Sequence, residues 1–246
     1  MNSVIRISGY YPAQSMDVEE LRLTAGQETL AATRIIAAPG AQPTVISFHG
    51  TGTTTHRGRI RYVLDDLATR GVSSACFDFS GHGESTGAAG LDAADPYSRV
   101  EEAFTAATLL CPPAPRAIIG TSMGAQLAAL LLPRLGPRGV PRFLGSSVAR
   151  LSPRDRGPEE PRNPRALIFF SPTAVEWGLL NAFDGKLLII AGREDASIDL
   201  RGAPAASSKV IWLECGHFVH PWLAEHERER AEVLDAVLDT IGRVIC

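Results

Sequence analysis

Hydrophobic and polar positions alternate in two runs near the start of the chain, VEELRLTA (18–25) and ETLAATRIIAAP (28–39). Period-two alternation is that of a strand with one wet face, and the short gap between the runs predicts an antiparallel hairpin. The next apolar runs do not alternate. TVISFHG (44–50), VSSACFDF (72–79), RAIIG (116–120), RALIFFSP (165–172), GKLLIIAG (185–192) and KVIWLECG (209–216) are continuous and short, and each leads into glycine, proline or aspartate. Such runs predict strands buried on both faces. Between them lie segments of helical period. RGRIRYVLDDLATRG (57–71) stops at Gly71, PYSRVEEAFTAATLL (96–110) starts at a proline, and MGAQLAALLL (123–132) is rich in small residues. A final amphipathic helix is expected from about Trp222 to Arg243. Strands alternating with helices predict a mostly parallel, doubly wound sheet of about eight strands with helices on both faces.

One stretch breaks the rhythm. Residues 133–165 carry eight arginines against Asp155, Glu159 and Glu160, and are laced with proline. The stretch reads as an exposed insertion, or alternatively as a small lid or a basic docking surface. No convincing domain boundary accompanies it, so one domain is expected over 1–246.

The elbow-like segment AIIGTSMGAQLAALL raises the chemical question. G-x-S-x-G alone is a weak signal, but here a strand runs into Ser122 and a helix leaves it. A nucleophile on so sharp a turn crowds its neighbours, so glycine is needed at both 120 and 124. A serine hydroxyl then needs a base, and the base needs a partner to fix its tautomer. His217 leaves the last expected strand at the sheet edge that also carries Ser122; His220 and His226, a few residues on, are its rivals. Asp195 follows KLLIIAGRE at that edge, with Glu194 and Asp199 as rivals. For an oxyanion, the amide of Met123 follows the nucleophile, and the loop FHGTGTTTHRG (48–58) offers Thr51. His49 reads as a loop-shaping residue, and threonines 53–55 as turn and cap residues.

Five motifs in this order, HGTG (49–52), FDFSGHGES (77–85), GTSMG (120–124), AGRED (191–195) and CGHF (215–218), resemble those of the α/β-hydrolase superfamily over nearly the whole chain. The resemblance implies the α/β-hydrolase fold and a Ser122–Asp195–His217 triad with an oxyanion hole from Thr51 and Met123. It implies that Asp78, Gly81, Gly83 and Ser85 are structural. Two departures stand out. Only TAVEWGLLNAFDGK (173–186) separates RALIFFSP from LLIIAGRED, so the usual cap is reduced, and the arginine-rich insertion precedes the sixth strand.

Composition narrows the function. With 24 basic and 27 acidic residues the net charge is −3, which argues against a general nucleic-acid binder. No run reaches membrane-spanning length, and no secretory signal is read at the start of the sequence. Cys76, Cys111, Cys215 and Cys246 lack metal-site spacing. Reduced thiols in a cytoplasmic protein are expected, with no metal or organic cofactor. The leading expectation is a serine hydrolase acting on a small carboxylic ester or thioester. The alternative is a thioesterase or acyltransferase whose substrate rides on an acidic carrier protein or coenzyme A, met by the arginine-rich insertion. Readings of another class are a non-catalytic binding protein on a hydrolase scaffold and a pure interaction module.

Overall fold

The computed structural model describes residues 16–52, 61–88, 96–135, 164–205 and 208–245. Its centre is one eight-stranded sheet in the order β1-β2-β4-β3-β5-β6-β7-β8. The alternating runs form β1 (Asp17–Ala25) and β2 (Glu28–Ile36), an antiparallel hairpin; β2 also pairs antiparallel with β4 (Ser74–Phe77). The remaining neighbours are all parallel: β4 with β3 (Val45–Phe48), then β3 with β5 (Ala117–Thr121), β6 (Ala166–Phe170), β7 (Lys186–Gly192) and β8 (Ser208–Leu213).

The continuous apolar strands are explained by the two layers they feed. In β5, β6 and β7, Ile118, Leu167, Phe169, Leu187 and Ile189 face the layer of α2 (Pro96–Leu110) and α3 (Met123–Leu135). The intervening Ile119, Ile168, Phe170, Leu188 and Ile190 face α1 (Arg61–Thr69), α4 (Val219–Glu225) and α5 (Glu227–Ile245). A strand with a core on either side has no position left for a polar residue.

Two expectations need correction. The last strand is not buried: β8 is the sheet edge, with Val210 and Trp212 37% and 40% exposed. The terminal helix is two helices, because His226 sits between α4 and α5 with φ −122° and ψ 82°. Its ring stacks on Trp222, with Nδ1 2.7 Å from the Trp222 carbonyl oxygen, while its own carbonyl accepts the Arg230 amide to start α5. The reduced cap is borne out between β6 and β7, where the helical content is a single 3-10 turn at Trp177–Leu180. Most of the arginine-rich stretch, residues 136–163, lies outside the described residues, as do threonines 53–55. At its described start, Arg134 is ion-paired with Glu101 of α2.

Candidate active site

Parallel strands bring their carboxyl ends to one edge, and every expected site residue leaves the sheet there. Ser122 stands between β5 and α3 with φ +51°, a left-handed conformation unusual for a residue with a side chain. The flanking glycines have a steric cause. A Cβ on Gly120 would come within 2.7 Å of the Ala125 backbone, and one on Gly124 would collide with the carbonyl of Phe48 at the end of β3. Gly50 lets the neighbouring loop approach, because a Cβ there would meet Ser122 Cβ at 3.0 Å and Thr121 O at 3.1 Å.

Backbone bonds then stitch the edge together. Ser122 N–H donates to Phe170 O, Ser171 N–H to Ile190 O, and Glu194 N–H to Cys215 O. Gly192 lies so close to the Cys215 and Gly216 carbonyls that a side chain is excluded. The Ser171 hydroxyl donates to the carbonyl of His217 at 2.8 Å, anchoring that loop to the end of β6.

Asp195 and His217 meet directly, with Oδ2 and Nδ1 2.6 Å apart. An ionised carboxylate only accepts, so the ring donates from Nδ1 and Nε2 is left as the acceptor. The Asp195 side chain is 3% exposed, against 33% for His217. Desolvation pushes the Asp195 carboxyl up, but hydrogen bonds from Ser197 and His217 outweigh it and hold the group below the ordinary aspartate value. The other oxygen, Oδ1, accepts the Ser197 amide at 2.9 Å and its hydroxyl at 2.5 Å. Among the described residues, the Ser122 hydroxyl bonds Thr173 Oγ1 at 3.1 Å rather than His217. Thr173 is not among the residues expected at this site from the sequence. A threonine just past a strand carries no motif, and its only signal was its place after FFSP at the same sheet edge.

The rivals are engaged elsewhere. Asp199 is held by Arg201 and is well below the usual aspartate value, at about 2, through that hydrogen-bonded pair. Glu194 is exposed. His220 is buried, its Nε2 3.0 Å from Thr121 Oγ1 and its Nδ1 3.2 Å from the Tyr62 hydroxyl, and burial lowers its pKa to about 3. His49 is buried too. It accepts the Phe79 amide at Nε2, lies 2.8 Å from Gly50 O through Nδ1, and is likewise pushed to about 3, chiefly by burial.

The Thr51 side chain meets that of Met123, Oγ1 to Sδ 3.7 Å, so the loop and the start of α3 adjoin. The first amides of a helix have no intrahelical acceptor and lie at its positive end. Behind this edge, the Ser85 hydroxyl accepts the Ala31 amide and donates to Asp78 O, and Gly81 and Gly83 adopt φ +71° and +53°. That is the structural use expected of the FDFSGHGES turn. Among the described residues, no group of three or more His, Cys, Asp or Glu side chains is gathered as metal ligands would be. No helix among them is long and apolar enough to cross a membrane.

Residues 39–147, less than half of the chain, match the family described as serine aminopeptidase, S33. The matched stretch includes Thr51, Ser122 and Met123 and stops before Asp195 and His217. None of the curated proteins matches the chain by sequence. Solved structures share the fold at low identity. The Pyrococcus furiosus esterase Pf2001 superposes with TM-score 0.65 at 16% identity, covering 98% of each chain. The thioesterase domain from the curacin biosynthetic pathway gives TM-score 0.65 at 15% identity, over 92% of this chain and 100% of that one. XC6422 from Xanthomonas campestris, described as an α/β serine hydrolase without lid, gives TM-score 0.57 at 17% identity, over 96% and 97%. Sheet order and superposition show that the chain has the α/β-hydrolase fold, and its residues 39–147 are similar to the serine aminopeptidase, S33, family.

Proposed function

We propose that the protein is a serine hydrolase that cleaves a small carboxylic ester or thioester through an acyl-enzyme. Ser122 is the nucleophile, His217 the base, Asp195 its orienting acid, and the Thr51 and Met123 amides receive the oxyanion. The observation that carries this reading is the 2.6 Å Asp195–His217 contact at the sheet edge that also presents Ser122 in a left-handed turn. In acylation Ser122 Oγ bonds the carbonyl carbon, its proton passes to His217 Nε2, and the carbonyl electrons move to oxygen. Collapse expels the leaving group, which takes the proton. Water repeats the sequence, and Ser122 recovers its hydrogen. The whole chain is taken as one hydrolase domain with its insertion at 133–165. The buried thiols of Cys76, Cys111 and Cys215 suit a reducing, cytoplasmic setting.

Hydrolysis of p-nitrophenyl butyrate and butyryl-coenzyme A tests the reading. Ser122→Ala and His217→Ala are expected to lose on the order of 10³-fold or more in kcat. Turnover undiminished in Ser122→Ala would contradict it.

The eight arginines in 133–165 favour a second reading, a substrate carried on an acidic protein or coenzyme A. Changing Arg138, Arg142, Arg150 and Arg154 to Gln is then expected to weaken use of the carrier-linked thioester while sparing the neutral ester. Equal effects on both would remove that reading.

A further inference from the structure

The Ser122 oxygen has a partner that the proposed triad does not use. Thr173 Oγ1 lies 3.1 Å from it, and Thr173 is partly buried two residues beyond Ser171. The backbone just before Thr173 is anchored. Ser171 is fixed through its amide to Ile190 O and through its side chain to His217 O. Three non-glycine residues among those described have positive φ: Ser122 at +51°, Ser171 at +45° and Ala174 at +51°. One is the nucleophile, and the other two bracket the Pro172–Thr173 step. Left-handed backbone at residues with side chains costs free energy and persists where the surroundings impose it. Here it is concentrated on the two segments that bring Ser122 and Thr173 together.

We propose that Thr173 is a further catalytic residue, whose hydroxyl donates to Ser122 Oγ and stabilises charge on that atom as it attacks and later departs. This rests on the serine-hydrolase reading above. The direction of the hydrogen bond follows from counting protons. Ser122 has one hydrogen, and attack requires it to go to His217 Nε2, the nitrogen that Asp195 leaves free. Thr173 has its own hydrogen, so Ser122 can accept from Thr173 and donate to His217 at once. During acylation the Oγ–carbon bond forms while the proton leaves, and partial negative charge passes through Oγ. During deacylation the same bond breaks, and Oγ carries the departing electron pair until His217 returns the proton. A donor already aimed at Oγ favours both steps without transferring its own hydrogen, as preorganised donors do for an oxyanion.

The test compares wild type, Thr173→Val and Thr173→Ser by the second-order rate of fluorophosphonate labelling and by kcat and KM for p-nitrophenyl butyrate. Thr173→Val keeps the shape and removes the donor. Labelling and kcat are expected to fall about tenfold, with KM, melting temperature and the shape of the pH profile unchanged, and Thr173→Ser is expected to restore both rates. Should Thr173→Val fold poorly, Thr173→Ala with Thr173→Ser gives the same comparison. Wild-type rates in the donor-less variant would overturn the proposal and leave the triad reading standing. Faster labelling would overturn it too, making the contact a resting clasp. A wild type that neither labels nor turns over would end both readings.

Discussion

His217 donates from Nδ1 to Asp195 Oδ2 across 2.6 Å, while the other carboxylate oxygen accepts both the amide and the hydroxyl of Ser197. The acid is therefore held from two sides, and its side chain is nearly removed from water. Asp195→Asn would keep the shape but present an amide to Nδ1, favouring the tautomer that cannot accept from serine. We expect ester turnover to fall by on the order of 10³-fold or more with an unchanged far-ultraviolet spectrum. Steady-state kinetics of the folded variant check this.

The loop proposed to supply an oxyanion donor depends on a contact rather than on a side chain. Gly50 Cα faces Ser122 so closely that a methyl group would come 3.0 Å from Ser122 Cβ. Gly50→Ala is expected to push Thr51 away from Met123 and to cost on the order of 10²-fold in kcat, the loss typical of one missing oxyanion donor. Stability should change less than activity, which comparing urea midpoints with kcat will show.

Gly124 behaves differently, because its neighbour is backbone. A methyl group there meets the Phe48 carbonyl, which β3 cannot move without disturbing its pairing with β5. Gly124→Ala is expected to destabilise the fold by about 3 kcal/mol, measured by urea denaturation.

Acid stability follows from two buried histidines. His49 is held near 3, first by burial and then by the nearby His82 and Arg99, against the opposing pull of its bond to Gly50. His220 is held near 3 by burial, beside the Tyr62 and Thr121 hydroxyls. Between pH 6.5 and about 3 the unfolded chain binds a proton on each, and the folded chain does not. Stability conferred by the neutral rings is thus present above pH 6.5 and lost as pH falls, at on the order of 1 kcal/mol per pH unit for each. Urea midpoints at pH 7 and pH 5 measure this slope, and His220→Leu should reduce it.

Most of the sheet could be read from the sequence because the centres of β5 to β7 are apolar on both faces and β3 and β4 interrupt that pattern only with a small serine each, Ser47 and Ser74. β8 misled because KVIWLECG is just as apolar, and only its place beyond β7 shows that one side lacks a neighbour. The break at His226 was hidden because it arises from a side chain stacking on Trp222 and engaging its carbonyl, with no proline or glycine to announce it. At the candidate site, the meeting of Asp195 with His217 and the strand-to-helix turn at Ser122 were legible because each residue follows a strand in a recognisable motif. Thr173 was not, since its meaning lies in a contact across 51 residues.

The proposed hydrolase chemistry requires an activated serine at the elbow. Intact-protein mass spectrometry after fluorophosphonate treatment, with Ser122→Ala alongside, tests it most directly. One adduct is expected on the wild type and none on the variant. A folded wild type that takes no adduct, or a variant that still takes one, would contradict it.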